Sequence, residues 1–285
     1  MPITHLIHPK TGARLDFAKA GAILEEDGIM PASAVDAIIA SIGEDKPAFN
    51  VRPSDVVPSM ECRRQRVWMA THDCGANPLE MEVMLEGSAL HAYYGAEEIT
   101  VPKDGVRVDI CGVPMRGRMD WLDKHRITDL KTSTPFWKVT YPPKPLDGSL
   151  KAKPFADIWE PDAKEDIAKW QIQLSIYAIL LRKSGREAPS MGRVWRRWAG
   201  VKADKGRYKR FDFPLLSEAE LEARVGEWIM DLADWLNEAK TDVDAWKHAE
   251  PDGRSIVGSR GNLWKCERCQ LRAECDATGG EWVGF

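Results

Sequence analysis

The sequence RMDWLDKHRITDLK, residues 118–131, carries the clearest structural pattern in this chain. Two runs with strand-like alternation flank a turn near Asp123, which predicts a β-hairpin. Successive side chains of a strand point to opposite faces, so Asp129 and Lys131 share one face while Leu130 points into the core. The second strand of the hairpin therefore presents a carboxylate and an ammonium group on the same face.

A second carboxylate, that of Asp120, reaches the same face if the two strands pair. Carboxylate oxygens are ligands that suit Mg²⁺ or Mn²⁺, and a cation beside such a metal helps to orient an attacking water. These are the groups that hydrolysis of a phosphodiester requires. The alternative interpretation is a surface hairpin whose charged side chains are simply solvated.

The order of elements around the hairpin predicts an α/β fold. The patterns follow the series helix, strands, helix, strands, helix, which is typical of an α/β core. Asp162 with Glu165, and Ser217 with Glu220, have the spacing of capping boxes. These two pairs predict where the last two helices begin.

The length of 285 residues and a hydrophobic content of 44% allow a large buried core. We expect residues 1–50 to form a helical extension and residues 51–285 the main domain. No apolar run approaches the roughly 20 residues of a membrane span, and the N-terminus lacks a signal-peptide pattern, so we expect a cytoplasmic protein. The formal net charge of −4 means that binding to nucleic acid must come from local patches.

Two such basic patches are present. Between residues 193 and 210, basic side chains alternate with aromatic ones, so phosphates and bases both have partners. A second group lies just after Cys62. The candidates for DNA binding are Arg63, Arg64, Arg196, Arg197, Lys205, Arg207 and Tyr208. The alternative for the first patch is a solvated hairpin with a packed apolar side.

Two predicted helices carry polar residues one turn apart. Gly87 and His91 share a face of the helix before the hairpin, and Gln173 and Tyr177 share a face of the helix after it. The glycine leaves room for a close approach, and a glutamine in an apolar stripe needs a hydrogen-bond partner. In order and spacing, these residues and the hairpin resemble the RecB-like branch of the PD-(D/E)XK nucleases.

That resemblance implies a restriction-endonuclease-like core, which is a mixed central sheet flanked by helices. It also implies a metal site. His91, Asp120 and Asp129 would bind Mg²⁺ or Mn²⁺, with help from the Leu130 carbonyl. Lys131 would orient or polarise the nucleophilic water.

The same resemblance assigns roles to the downstream helix. Gln173 would support Lys131, and Tyr177 would contact DNA. Two positions depart from the class pattern, since Met119 stands where the class name has proline and Asp129 replaces the commoner glutamate. Neither departure removes a ligand.

Three cysteines lie close together near the end of the chain, where Cys266 and Cys269 form a C-x2-C step and Cys275 follows. Disulfides are not expected in a reducing compartment, so thiolate ligation of a metal is the better interpretation. Three thiolates leave a four-ligand site incomplete, and the far upstream Cys62 is the candidate for the fourth.

This layout resembles the iron-sulfur nucleases of the AddB type and the CRISPR-associated exonucleases, which implies a 4Fe-4S cluster and a C-terminal iron-sulfur tail. Zn²⁺ bound by four cysteines is the alternative, because soft thiolates suit either metal. Cys74 is an alternative ligand. We expect Cys111 to be buried in a strand.

The resemblance as a whole implies a metal-dependent DNA exonuclease that acts on ends or single strands. A first alternative is a DNA-binding and end-processing module of a recombination or CRISPR adaptation complex, with little turnover of its own. Its partner would be a helicase, a recombinase or a CRISPR integrase. A second alternative is a zinc-stabilised structural protein in which the charged hairpin is a coincidence.

Cys269→Ala is expected to destabilise the fold more than it alters the chemistry, because the cluster would close a very long loop of the chain. Thermal unfolding and DNA cleavage, measured on the same anaerobic preparations, check this, with brown colour reporting iron. Unchanged melting together with abolished cleavage would contradict the prediction.

Overall fold

The structure is a computed structural model that describes residues 3–42, 49–56, 62–95, 99–133, 155–198, 208–249 and 271. The chain divides into two units. The terminal unit comprises residues 1–94 and 227–285, and the hairpin unit comprises residues 95–226. None of the described helices has the length and apolar character needed to cross a lipid bilayer.

A three-stranded sheet opens the terminal unit. Its strands are β1 (Ile3–Ile7), β2 (Arg14–Leu15) and β3 (Cys74–Ala76), in the order β2-β1-β3. The β1–β2 pair is antiparallel and the β1–β3 pair is parallel. The sheet thus joins residues on both sides of position 50, and the predicted division at that position stays a prediction.

Local sequence signals explain where the helices of the terminal unit begin. Asp16 accepts a hydrogen bond from the Ala18 N–H at 2.9 Å, and Asn77 accepts one from the Leu79 N–H at 3.1 Å, with Pro78 in the first turn. Such caps satisfy N–H groups that lack helical partners. The helices are α1 (Phe17–Glu26), α2 (Ala32–Ser41), α3 (Arg63–Thr71) and α4 (Pro78–Tyr93).

Helix α3 carries basic residues that bond within the terminal unit. Arg64 is 8% exposed and donates hydrogen bonds to the carbonyls of Ala249 and Lys247, at 2.7 and 3.1 Å. Arg63 forms an ion pair with Asp231 at 2.9 Å. The phosphate contact predicted for Arg64 stays a prediction, and its guanidinium bonds to backbone carbonyls within the terminal unit.

A buried ion pair anchors the same helix. The Nε atom of Arg66 lies 3.2 Å from Oδ2 of Asp55, and both side chains are almost fully buried. Arg66 also donates to the Asn50 carbonyl at 2.9 Å, and Arg52 contacts the other carboxylate oxygen of Asp55 at 3.1 Å. The segment before α3 is thus tied to it by charged hydrogen bonds, which are the stronger kind.

The hairpin unit contains eight described strands, which are β4 (Ile99–Val101), β5 (Asp109–Ile110), β6 (Val113–Pro114), β7 (Gly117–Met119), β8 (Trp121–Leu122), β9 (Arg126–Ser133), β10 (Met191–Trp198) and β11 (Tyr208–Pro214). Its main sheet has the strand order β11-β10-β9-β8. Strands β9 and β10 are parallel, and the other two pairs are antiparallel, which confirms the predicted α/β class with a mixed sheet.

Two further helices complete the fold, α5 (Phe155–Lys183) and α6 (Glu218–Glu238), the second of which ends in the terminal unit. The capping box that begins α6 is confirmed, since the Ser217 N–H donates to Glu220 at 2.8 Å and the Glu220 N–H donates back to the Ser217 hydroxyl at 3.3 Å. The start predicted for α5 at Asp162 is wrong. Proline lacks the N–H of a helix interior and predicts a break, yet the chain is already helical before Pro161.

Cys111 lies in a tight turn, which corrects its predicted place in a strand. Cys111 and Gly112 have φ angles of 50° and 76°, and they connect the paired residues Ile110 and Val113. Two central residues with positive φ are typical of the two-residue turn that closes a β-hairpin. The thiol is half-buried, and burial together with nearby Glu222 raises its pKa.

Helix α5 packs closely on one face of the mixed sheet. A Cβ atom at Gly192 would lie 3.2 Å from Leu174 and 2.7 Å from Phe213, so glycine leaves the space that the helix needs. The hydroxyl of Ser175 accepts a hydrogen bond from the Leu216 N–H at 2.8 Å, which ties the helix to the segment after β11. This packing holds α5 against the charged face of β9.

Arg66→Ala is expected to lower the free energy of unfolding by about 3–5 kcal/mol, because it removes the fully buried partner of the Asp55 carboxylate together with the hydrogen bond to the Asn50 carbonyl. The exposed Arg107, which pairs with Asp109 at 3.0 Å, supplies the control, and Arg107→Ala should cost less than about 1 kcal/mol. Urea unfolding measures both. Equal losses in the two variants would show that the buried pair is not an anchor.

Candidate active site

Asp120 lies where the chain passes from one sheet to another. Met119 ends a strand that pairs with β4, and Trp121 begins β8, which pairs with β9 opposite Thr128. Between them, Oδ2 of Asp120 accepts a hydrogen bond from the Leu130 N–H at 2.8 Å. The predicted pairing of the hairpin strands is confirmed, and the Asp120 side chain bonds to β9 just beyond the point where β8 begins.

Lys131 is held between a carboxylate and an amide. Its Nζ atom lies 2.8 Å from Oδ2 of Asp129 and donates to Oε1 of Gln173 at 3.1 Å. The Gln173 amide in turn donates to the Tyr177 hydroxyl at 3.3 Å. A lysine ammonium has three N–H donors, and these two contacts leave one for a further acceptor.

Tyr177 lies behind Gln173 and away from solvent. It is 5% exposed, and burial, with a smaller contribution from the charge of Asp129, raises the pKa of its hydroxyl far above the usual range. The phenol therefore stays neutral. The predicted contact of Tyr177 with DNA stays a prediction, and its hydroxyl accepts a hydrogen bond from Gln173 inside the unit.

The two aspartates fit a hard divalent cation. Asp120 and Asp129 are 8% and 5% exposed, and the Lys131 ammonium lies beside the Asp129 carboxylate. The N–H and C=O of one strand residue point to the same side, so the Leu130 carbonyl is directed toward Asp120. Among the described residues no group of three His, Cys, Asp or Glu converges, but Mg²⁺ commonly takes one or two carboxylates and completes its shell with water and substrate phosphate.

His91 lies in the last turn of α4, in the terminal unit, one turn beyond Gly87. The predicted helix and the shared face are therefore confirmed. Its imidazole is half-buried and has a partner. The role of His91 as a metal ligand stays a prediction.

The predicted cysteine ligands fall partly outside the described residues. Cys266, Cys269 and Cys275 lie there, whereas Cys62 immediately precedes α3 and is half-buried. Cys74 is buried in β3, and desolvation raises its pKa to about 11, so its thiolate form is disfavoured. The cluster of Cys62 with the tail stays a prediction.

The basic segment after residue 193 divides between two faces of the sheet. Arg196 pairs with Lys131 in the β9–β10 register and lies on the face covered by α5, whereas Arg197 and Tyr208 pair with each other on the opposite face. A single DNA strand on one face therefore cannot use all the predicted residues. Lys205 and Arg207 lie outside the described residues.

Sequence patterns did not predict the aromatic support beneath Arg196. Its guanidinium lies 5.7 Å from the ring centroid of Trp170 on α5, and Trp170 packs against Phe211 of β11, with ring centroids 5.4 Å apart. The three residues come from separate elements. Only the parallel register of β9 and β10 and the placement of α5 bring them together.

A known protein family matches most of this chain. A family model described as the PD-(D/E)XK nuclease superfamily matches residues 63–276. No curated protein matches. Among solved structures, the chain is similar to SSO0001, with 16% identity, a TM-score of 0.44 and coverage of 87% of this chain and 95% of that one.

The chain is also similar to an alkaline exonuclease from Laribacter hongkongensis, with 13% identity, a TM-score of 0.37 and coverage of 72% and 96% of the two chains. The family match spans most of the sequence and includes the whole hairpin with its two aspartates and lysine. This protein belongs to the PD-(D/E)XK nuclease superfamily.

Proposed function

We propose that this nuclease is a metal-dependent deoxyribonuclease that removes nucleotides from DNA ends, with single-stranded or frayed ends as substrates. The contact of Lys131 with both Asp129 and Gln173 carries the proposal, because it fixes a cation beside two buried carboxylates. Such a preorganised charge is what hydrolysis of a phosphodiester needs.

Asp120, Asp129 and the Leu130 carbonyl would hold Mg²⁺ or Mn²⁺, and His91 is a further candidate ligand. When bound, such an ion supplies Lewis-acid stabilisation of the negative charge that develops on the phosphate oxygens. The donor set is composed of hard oxygens, apart from the imidazole, and suits either ion.

Lys131 orients the attacking water or a phosphate oxygen with its remaining N–H. Its other contacts, to Asp129 and Gln173, prevent the flexible side chain from rotating away. Tyr177 would position Gln173, because its hydroxyl accepts a hydrogen bond from the Gln173 amide. Each of these residues therefore acts on the same ammonium group, directly or through a neighbour, so their substitutions should not have additive effects.

Asp129→Asn and Lys131→Ala are each expected to reduce the cleavage rate about 100-fold or more, because each removes a charge that the transition state uses. The assay follows end-labelled single- and double-stranded DNA with Mn²⁺ or with EDTA. Asp109→Asn, which changes an exposed aspartate of the same unit, is the matched control and should retain the wild-type rate.

Two outcomes would overturn this assignment. Full activity of Asp129→Asn would show that the catalytic residues do not lie in the hairpin. DNA binding without cleavage by the wild-type chain, with either Mg²⁺ or Mn²⁺, would favour the end-processing module that works within a larger complex. Release of internal fragments before mononucleotides would replace the exonuclease proposal with an endonuclease.

Tyr177→Phe is expected to lower the free energy of unfolding by about 1–3 kcal/mol, because the buried Gln173 amide loses its acceptor. It should also reduce kcat with little change in KM, since Lys131 is less firmly positioned. Tyr93→Phe, at an exposed tyrosine outside the candidate DNA-binding residues, is the control. Weaker DNA binding by Tyr177→Phe with unchanged stability would support the DNA contact that the sequence predicted.

A further inference from the structure

A row of three cations crosses the mixed sheet beside the candidate active site. Lys131 on β9 is directly opposite Arg196 on β10, and Arg196 is directly opposite Lys209 on β11. Neighbouring residues in register point to the same face of a sheet. The contacts of Lys131 with Gln173 and of Arg196 with Trp170 show that this is the face covered by α5.

Aromatic rings support two members of the row. Arg196 lies over Trp170, and the Nζ atom of Lys209 lies 5.4 Å from the ring centroid of Phe211. Trp170 is buried and Phe211 is half-buried, so neither ring is placed to stack on a nucleobase. Their contacts with the cations favour a fixed position for the positive charges.

The row concentrates positive charge at one end of the site. Asp129 balances the charge of Lys131, and Arg196 is only 8% exposed, so Lys209 is the member of the row that is most open to a phosphate. Three adjacent strands span about 10 Å, which is room for more than one phosphate of a nucleic acid strand. The two aspartates lie at one end of the row, and Lys209, which is exposed, lies at the other.

We propose that Lys131, Arg196 and Lys209 form a phosphate track, which binds backbone phosphates of the DNA strand next to the bond that is cut. Because the track presents cations to the phosphate backbone, it binds without regard to base sequence. This inference rests on the proposed function, and it adds the direction in which the bound DNA strand extends from the two aspartates.

The opposite face of β11 provides a matched control. Arg210 follows Lys209 in sequence, but its side chain points to the other face, where its Nε atom lies 2.9 Å from Asp212. Arg193 also pairs with Asp212, at 2.6 Å, and these contacts lower the pKa of that carboxyl. Lys209 and Arg210 thus carry the same charge on the same strand, but their side chains lie on different faces of the sheet.

The experiment measures binding of a fluorescein-labelled single-stranded oligonucleotide by anisotropy, in EDTA so that no cleavage occurs. Lys209→Gln is expected to weaken binding about three- to tenfold near 50 mM salt. The slope of log Kd against log salt should fall by about 0.7, the value for one phosphate contact on a single strand. Arg210→Gln should change neither quantity.

A second probe locates the contact. Oligonucleotides that each carry one uncharged methylphosphonate linkage are bound to wild type and to Lys209→Gln. If Lys209 contacts the phosphate that the uncharged linkage replaces, Lys209→Gln and wild type will bind that oligonucleotide equally well. Equal binding to an oligonucleotide modified near the cleaved bond supports the track. Equal effects of Lys209→Gln and Arg210→Gln, or no effect of Lys209→Gln, would overturn it.

The two proposals fail in different ways. If wild type cleaves DNA with Mn²⁺ and Lys209→Gln binds as wild type does, the track is wrong and the nuclease assignment stands. If Lys209→Gln weakens binding in EDTA but no metal supports cleavage, the track stands as a DNA-binding surface and the proposed activity is wrong.

Discussion

The hydrogen bond from the Leu130 N–H to the Asp120 carboxylate holds the candidate active site together. It forms where the chain changes from one sheet to another, so a side chain replaces the backbone partner that β9 would otherwise have. In a regular strand pair a backbone carbonyl would accept this hydrogen bond. Here the Asp120 carboxylate accepts it, at the edge of the regular pairing of β8 with β9.

Burial strengthens the electrostatic interactions of these charged groups, but it also imposes a desolvation cost on each of them. A carboxylate removed from water needs an opposite charge or hydrogen bonds, and Asp129 has the ammonium of Lys131 at 2.8 Å. Two buried carboxylates with one bound lysine leave an excess of negative charge among these three side chains. A divalent cation would offset that excess, and its binding is expected to stabilise the folded protein as well as the reaction.

Much of the site could be predicted because its geometry is local. Alternation along β9 places Asp129 and Lys131 on one face, and one helical turn separates Gln173 from Tyr177, so both pairs follow from the spacing of residues. The contact between Lys131 and Gln173 was expected from family resemblance and is confirmed at 3.1 Å.

The remaining features depend on register and packing between distant segments, which no local pattern contains. The opposite placement of Arg196 and Arg197 follows from the parallel pairing of β9 with β10. The burial of Arg64 follows from carbonyls far along the chain. A basic residue looks alike in the sequence whether it binds a phosphate or a carbonyl, so packing alone separates the two roles.

The parallel pairing of β9 and β10 has a consequence for how such a nuclease can diversify. Parallel neighbours need a crossover, and here it begins where β9 ends, two residues after Lys131. The register of β9 and β10 is fixed by the paired strands, so a change in the length of this crossover would leave it unaltered. Under the proposed function, substrate range could therefore change by exchange of one connection while Asp129 and Lys131 stay in place.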